Sequence, residues 1–490
     1  MVSFNAIPTT LRVPFTYVEF DNSKAVQGAS AQPFATLLMG QKLSTGSEPE
    51  LTLKTVTNVE QAVSLYGRGS SIHRMVEYYL ANNSVIELKV MAIDDLAAGV
   101  NATGKLTISG PATADGVINL YVAGQKVVVG VSSGDSADDV AAAIAAKLPA
   151  TSDMPLSAVV NGTNADEVDM IAKHKGEIGN VDVRVNYLDS EELPAGVGVA
   201  ITAMNGGTGN PDISEIISAL PDEQFNTVIN PWTDGTNLSA LETEMADRWG
   251  PIRQNAGLCI AYKLGTLSNL QVLGNSRNSK HSCIVGPAKS APNPAYEWAA
   301  AKAGAVSVAA ATDPARPFQT LALAGIMSPK SSEQFTLTER NILLSDGIAT
   351  DKAAAGGVVQ IERLITTYQT NAAGSPDTSF LDANTVYTLD YLRYDFRTQM
   401  SSKFPRHKLR SDGQQAAAGQ AILTPRGAKA EAIGIFQGWL DLALVEGIEQ
   451  FQADLVVERN TQDPTRLDFL LTPDLANQLR VLGTQIQFLL

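Results

Sequence analysis

The last residues of the chain alternate polar and apolar side chains, and no other feature constrains the fold as strongly. The run comprises residues 484–490, with Thr484, Ile486, Phe488 and Leu490 on alternate positions. A period of two predicts an extended strand with one buried face. Neither a turn, a helix cap nor a charge ends this run, so we expect the strand to require a pairing partner.

The N-terminal region has a similar character. Residues 13–20 are rich in strand-forming side chains, and Pro8 and Pro14 suit an extended or edge segment. The apolar members of this segment are Val13, Phe15, Tyr17, Val18 and Phe20. Two interpretations remain open: both terminal strands close a sheet within the chain, or they pair with other copies of it.

Composition limits the class of protein. A chain of 490 residues exceeds the size of one hydrophobic core, so several domains are expected. The net charge of −15 argues against nucleic acid as a partner. No apolar run is long enough to cross a membrane, and no secretory signal is recognisable, so no direct membrane contact is expected. Cys259 and Cys283 are predicted to be buried free thiols in a reducing compartment.

Strand and helix patterns alternate through much of the chain. This alternation predicts a multidomain α/β protein whose core, residues 22–95 and 207–374, has a mainly parallel sheet flanked by helices. Asn210 is expected to cap a helix that begins at Pro211. Between the two core segments, short strands and one helix capped by Ser136 predict an inserted β-rich domain at residues 96–206.

The remaining sequence predicts a small C-terminal α+β domain at residues 375–478. It contains a long amphipathic helix over residues 384–403 and a second helix opened by Thr424 and Pro425. Two strands follow, separated by a turn at Asp463 and Pro464. Residues 1–21 and 479–490 are left as strand-forming terminal arms.

Catalytic and cofactor motifs are scarce. The four histidines occupy different segments without a metal-ligand spacing, and no P-loop, complete dinucleotide-binding motif or nucleophile elbow is present. His281 and Cys283 are two residues apart, so they would share one face of a strand, but no third orienting group is visible. The sequence predicts no enzyme, no cofactor and no metal site.

One basic cluster stands out in this acidic chain. It follows the long helix and consists of Lys403, Arg406, His407, Lys408 and Arg410. Cations at a helix C-terminus stabilise the helix dipole, which is one explanation. The other is a contact patch for an acidic surface on a neighbouring molecule.

Several segments, in their order along the chain, resemble the tail sheath proteins of contractile-tailed phages, especially the Mu-like branch. They are residues 64–75 (SLYGRGSSIHRM), 339–348 (ERNILLSDGI), 361–368 (IERLITTY), 457–468 (VERNTQDPTRLD) and 477–481 (NQLRV). The resemblance covers nearly the whole chain and is weakest across residues 96–206, where sheath proteins carry variable insertions.

This resemblance implies a structural subunit that polymerises as stacked hexameric rings around a tail tube. Contraction of the polymer would drive the tube through a bacterial envelope, without nucleotide. Implied partners are other copies of the chain, the tail tube protein, and baseplate and tail terminator proteins. The implied location is the virion tail, after assembly in the host bacterial cytoplasm. The arms would add strands to a sheet in the C-terminal domain of other subunits.

Two other classes remain as alternatives. The α/β alternation of residues 210–311 is also used by many cytosolic enzymes, whose mark would be a pocket with convergent titratable groups. The insertion rich in alanine, glycine, serine and aspartate suggests a non-contractile surface or adhesion protein. The sequence does not distinguish an infectious phage from a phage-derived bacteriocin or another contractile machine.

Overall fold

The structure is a computed structural model that describes residues 32–151, 153–413 and 419–489. The predicted N-terminal strand and Leu490 lie outside these ranges. The first described segment contains β1 (Ala35–Gln41), β2 (Leu53–Thr55), α1 (Val59–Tyr66), α2 (Ser71–Asn82) and β3 (Glu87–Ile93). The alternation of strands and helices in this segment was predicted.

The following segment is rich in strands, as its turn-separated apolar runs predicted. It contains β4 (Asn101–Ser109), β5 (Gly116–Val122), β6 (Gln125–Val131), α3 (Ala137–Ala150), β7 (Leu156–Val160), β8 (Glu167–Lys175), a 3₁₀ turn (Glu177–Gly179), β9 (Val183–Val185) and β10 (Gly198–Asn205). Two antiparallel sheets form here, in the orders β10-β4-β8-β7 and β6-β5-β9. With α3 they enclose a separate hydrophobic cluster.

Helices and strands then alternate. The elements are α4 (Ile213–Ala219), β11 (Thr227–Ile229), α5 (Gly235–Trp249), β12 (Leu258–Tyr262), α6 (Leu267–Asn275), β13 (Ser282–Val285), α7 (Ala295–Thr312), α8 (Leu337–Ser345), β14 (Ile348–Ala353) and β15 (Val359–Arg363). The prediction that Asn210 caps this series was wrong, because Asp212 is the cap of α4. The Asn210 side chain instead accepts from the Glu177 amide and donates to Asp234.

The final segment combines three helices with several short strands in its described residues. It contains α9 (Ala383–Lys403), β16 (Lys408–Leu409), β17 (Ile422–Leu423), α10 (Pro425–Asp441), β18 (Val445–Glu446), α11 (Ile448–Asp454), β19 (Val456–Arg459), β20 (Leu467–Leu470) and β21 (Asp474–Leu475). The strands pair as three two-stranded sheets, β16-β17, β18-β21 and β19-β20. The β18-β21 and β19-β20 sheets pack with the helices around a cluster in which the rings of Phe436 and Phe451 stack at 3.9 Å.

An eight-stranded sheet joins the first and third segments, in the order β15-β14-β13-β12-β11-β1-β3-β2. The six inner strands are parallel, and β2 and β15 pair antiparallel at the two edges. Because a parallel sheet buries both faces, helices cover each side. Leu38 of β1 faces the cluster that holds α2 and α7, whereas Leu37 and Met39 face α4 and α5.

Helices α2 and α7 pack closely because Gly304 has no side chain. A Cβ atom on Gly304 would lie 2.8 Å from the carbonyl oxygen of Tyr79. The same helix also buries Lys302, whose Nζ lies 2.6 Å from Oδ1 of Asp351 on β14, with both side chains at most 1% exposed. The hydroxyl of Tyr262 donates to the other oxygen of Asp351 at 2.6 Å. Burial lowers the pKa of Lys302 and raises that of Asp351, while their attraction opposes both shifts.

The possible Cys–His pair lies at the start of β13, one of the inner strands of the large sheet. His281 and Cys283 are both buried, and the His281 ring lies 5.3 Å from that of Trp249. Burial raises the pKa of the Cys283 thiol and lowers the pKa of His281 to about 3. A thiol that resists ionisation is a poor nucleophile, so the geometry favours a structural role for both residues.

The Lys302–Asp351 pair should be strongly coupled in unfolding experiments. We expect Lys302→Ala to cost about 3–5 kcal/mol, since it leaves a carboxylate buried without its cation. The double variant Lys302→Met/Asp351→Asn should be less destabilised, because it removes both charges. Equal losses in the single and double variants would show that the charge pair is unimportant. Lys263→Met serves as control, since the Lys263–Glu177 pair is exposed and should contribute less than about 1 kcal/mol.

His281 should make the fold sensitive to acid. The folded chain keeps His281 neutral down to about pH 3, whereas the unfolded chain protonates it near pH 6.5. Its contribution to stability is therefore present above pH 6.5 and is lost as the pH falls toward 3. We expect the stability difference between pH 7.5 and pH 5 to shrink by about 2 kcal/mol in His281→Phe. Denaturant unfolding at the two pH values measures this difference, and His407→Phe, at an exposed histidine, is the control. The same pH dependence of stability in His281→Phe and in the wild-type chain would contradict the assignment.

Candidate interaction surfaces

The C-terminal segment leaves the folded body without pairing to any strand in the described ranges. Strand β21 pairs with β18, and the amide of Ala476 donates to the carbonyl of Leu444 at 3.0 Å. The Arg480 guanidinium then contacts Asp382 at 2.9 Å, just before α9. Between residues 476 and 489 no helix or strand forms. The interpretation that the terminal strand closes a sheet within the chain is therefore wrong for the part of the C-terminus that the structure describes.

This segment exposes large apolar side chains. Ile486 is 83% exposed and Phe488 is 77% exposed, and Thr484 is exposed beside them. Other exposed apolar residues are Leu479, Val481, Leu482 and Leu489. Contiguous apolar exposure of this kind marks a surface that binds another molecule. The residues of the other predicted arm, Val13 to Phe20, lie outside the described ranges, as does Leu490.

The β19–β20 hairpin exposes one of its two faces. Val457 and Phe469 form one cross-strand pair that faces inward, where Phe469 packs edge-on against Phe396 at 5.5 Å. The neighbouring pair, Val456 and Leu470, is exposed by 45% and 58%. Within the described ranges no third strand joins this hairpin. Unpaired backbone groups at such an edge can accept an added strand.

Helix α9 connects the large sheet to the C-terminal cluster. In its first half, the Tyr387 hydroxyl lies 2.9 Å from that of Thr227, and Asp390 accepts from the indole of Trp249 at 2.5 Å. In its second half, Asp395 accepts from the indole of Trp439 at 2.7 Å. The surfaces at both ends of α9 therefore have fixed positions relative to the large sheet and to the C-terminal cluster.

The basic cluster begins where α9 ends. Lys403 occupies the last turn and pairs with Glu431, whereas Arg406, His407 and Lys408 follow the helix and are exposed. Lys408 and Arg410 belong to the β16 segment, where Lys408 donates to Gln420 at 3.1 Å. Because the helix dipole acts only within the last turn, it explains Lys403 but not the residues beyond it. The helix dipole therefore does not account for Arg406, His407 and Lys408.

The cleft of about 390 Å³ beside the carboxyl ends of β11 and β12 is where an α/β enzyme would bind its ligand. Its charged side chains are paired with protein groups: Lys263 with Glu177, and Asp182 with Arg184. Among the described residues, no cluster of three or more potential metal ligands is present. The helices in the described ranges include none that is long and apolar enough to span a membrane.

Comparisons with known proteins identify the family of the chain. A family model for the phage tail sheath protein central domain matches residues 206–367, and one for the phage tail sheath C-terminal domain matches residues 375–488. The Mu-like prophage FluMu tail sheath protein of Haemophilus influenzae is 41% identical over 490 residues, which cover 100% of both chains.

Solved structures of sheath proteins align along most of the chain at low identity. The sheath tail protein of Listeria innocua is 12% identical, with 92% of this chain and 93% of that chain covered and a TM-score of 0.49. The contracted PVC sheath complex of an extracellular contractile injection system is 9% identical, with 98% of both chains covered and a TM-score of 0.49. The assignment rests on the sequence matches: the chain belongs to the phage tail sheath protein family, on its Mu-like branch, and is a structural protein rather than an enzyme.

Proposed function

We propose that the subunit polymerises as stacked hexameric rings around a tail tube and contracts to drive the tube through a bacterial envelope. Neighbouring subunits are linked by strands that the arms, residues 1–21 and 479–490, add to a sheet in the C-terminal domain of other copies. The observation that carries this proposal is the exposed apolar C-terminal segment, which has no strand partner among the described residues of its own chain.

Burial of apolar side chains and added hydrogen bonds supply enough free energy to hold such a link between subunits. Burying one large apolar side chain stabilises a contact by about 1.5–3 kcal/mol, and Ile486 and Phe488 offer two of them. Added backbone hydrogen bonds contribute roughly 0.5–1.5 kcal/mol each. The segment between Arg480 and residue 489 spans about 30 Å when extended, so it can reach a neighbour while its base stays fixed at Asp382.

Mutual donation of arms is a heterologous contact, and contacts of this type propagate as a helical array. In this arrangement the C-terminal domain, residues 375–478, faces the tube. The α/β core of residues 22–95 and 207–374 lies further out, and the insertion at 96–206 is exterior. The partners are the tube protein, baseplate proteins and a tail terminator, and assembly takes place in the host cytoplasm.

Removal of the C-terminal strand should abolish polymerisation but not folding. We expect the wild-type chain to form hollow six-fold tubes in negative-stain electron microscopy, and the chain lacking residues 484–490 to remain a folded monomer. Ile486→Asp/Phe488→Asp should have the same effect, because it places charge on the face to be buried. The matched variant Gln485→Asp/Gln487→Asp alters the opposite face and should assemble. Tubes from the truncated chain would refute strand donation.

The basic cluster should contribute to assembly through charge. Reversal at Arg406→Glu/Lys408→Glu should weaken binding to the tube or to a neighbouring subunit by about tenfold or more, most clearly at low salt. Co-sedimentation of sheath with tube measures this effect. The control is Lys147→Glu/Lys352→Glu, two reversals on exposed residues elsewhere. If both double variants assemble equally well, the cluster is not a contact patch.

A further inference from the structure

Two buried histidines contact the loop that joins α1 to α2. His174 lies on β8 of the β-rich segment, residues 96–206, and its Nε2 accepts from the amide of Ser71 at 3.0 Å. His73 lies in the first turn of α2, and its Nδ1 accepts from the amide of Gly69 at 3.1 Å. Both histidines are at most 4% exposed. The two imidazoles therefore hold the loop at positions only two residues apart.

These contacts determine the protonation state of both rings. A backbone amide can only donate, so the nitrogen that it contacts must carry a lone pair and no proton. The other ring nitrogen carries the proton and faces a carboxylate. In His174 it is Nδ1, which lies 2.8 Å from Asp95. In His73 it is Nε2, which lies 3.9 Å from Asp153. Each chain of carboxylate, imidazole and amide is complete only while the imidazole is neutral.

Both chains join the β-rich segment to the α/β core. His174 and Asp153 belong to the β-rich segment, whereas the loop between α1 and α2 belongs to the core. The Arg68 guanidinium of this loop also pairs with Asp153 at 2.7 Å. Gln41, at the end of β1, donates to Asp95 at 2.7 Å. The junction between the two parts of the chain therefore depends on polar contacts that meet at the two imidazoles.

We infer that His73 and His174 form an acid-sensitive latch between the β-rich segment and the core. Protonation of either ring places an N–H group opposite the N–H of Gly69 or Ser71, so one hydrogen bond is lost and two donors face each other. The latch then opens while the rest of the chain stays folded. This inference does not depend on assembly, because every contact that carries it lies within one chain.

The charged groups around His73 leave the neutral ring favoured. Burial is the largest influence and lowers the pKa of His73 to about 4. Asp153 and Glu60 favour protonation, whereas Arg68 and Arg74 oppose it. The neutral imidazole therefore stabilises the closed latch above pH 6.5, and this contribution is lost as the pH falls toward 4.

The carboxylate that contacts His174 stays charged while the latch opens. Burial raises the pKa of the Asp95 carboxyl, but the hydrogen bonds from His174 and from the amide of Lys175 outweigh burial and hold this pKa below its usual value. The ammonium of Lys173 also lies at the loop, where it donates to the carbonyl of Arg68 at 3.3 Å. Opening therefore begins at the imidazoles rather than at this carboxylate.

A second group of contacts keeps the β-rich segment attached to the core. The Arg184 guanidinium of β9 pairs with Glu333 at 2.7 Å and donates to Ser290 at 2.8 Å. The Tyr187 hydroxyl donates to the carbonyl of Ser328 at 2.7 Å. Because none of these contacts involves an imidazole, an open latch leaves the segment attached beside β9.

Hydrogen–deuterium exchange of the full-length chain, measured by mass spectrometry at pH 7 and pH 4.5, tests the latch. After correction for intrinsic exchange rates, the protection of peptides that cover residues 67–73 should fall by about fiftyfold. This factor follows from a pKa of about 4 in the closed latch and about 6.5 in the open one. At pH 4.5 these peptides should exchange at least tenfold faster than those of β12, which are exposed only when the large sheet unfolds.

Two variants remove the titration but keep an acceptor. His73→Asn places a carbonyl oxygen near the position of Nδ1, and His174→Gln places one near the position of Nε2. We expect the double variant to lose most of the fiftyfold change, because an amide side chain binds no proton in this pH range. His407→Asn is the matched control, since His407 is exposed and belongs to the C-terminal segment; it should behave as the wild-type chain does.

Each result supports or overturns the latch. Lost protection at residues 67–73 in the wild-type chain, together with retained protection in the double variant, supports it. Unchanged protection at pH 4.5 overturns it. Equal exchange of residues 67–73 and of β12 also overturns it, because the whole chain then unfolds. An equal loss in the double variant assigns the effect to other groups and likewise overturns the inference.

A measurement on the wild-type chain replaces the double variant if that variant does not fold. Exchange of the imidazole Cε1 hydrogen, also measured by mass spectrometry, reports the protonation of each histidine. Titration of His73 near pH 4, together with lost protection of residues 67–73, supports the latch. Titration of His73 near pH 6.5, as in an unfolded chain, overturns it.

Discussion

The attachment of α9 to both the large sheet and the C-terminal cluster determines where the candidate binding surfaces of this molecule lie. Each half of the helix is held by a buried aspartate that accepts from a tryptophan indole, Asp390 from Trp249 and Asp395 from Trp439. An indole N–H bonded to a buried carboxylate is a directional contact, and Arg393 and Gln399 donate to the same two carboxylates. The helix can therefore act as a rigid connection between the large sheet and the C-terminal cluster.

The candidate binding surfaces are arranged along this helix. Asp382, at its start, holds both Arg363 of the sheet and Arg480 of the C-terminal segment, so the point at which that segment leaves is tied to the core. An apolar groove lies along the middle of α9, and the basic cluster begins where the helix ends at Lys403.

Local sequence patterns predicted the helices and strands where one period dominates over many residues. The α9 boundaries were predicted to within one residue. Strand β2 was missed because it has only three residues, of which two are exposed. Asn210 was misassigned because its side chain bonds to residues 177 and 234, and no local signal reports such distant partners. The apolar groove beside α9 is lined by residues of α5, of α9 and from the end of β20. Because these elements are far apart in the sequence, only the tertiary structure shows the groove.

The exposed C-terminal segment has a consequence for how stability is defined in this protein. A subunit whose apolar residues at 479–489 are covered only by a neighbour gains free energy each time a neighbour binds. Ligands that bind the folded state raise its apparent stability by mass action, and in the proposed assembly the ligand is another copy of the same chain. The proposed assembly therefore makes the melting temperature of this protein depend on the subunit concentration at which it is measured.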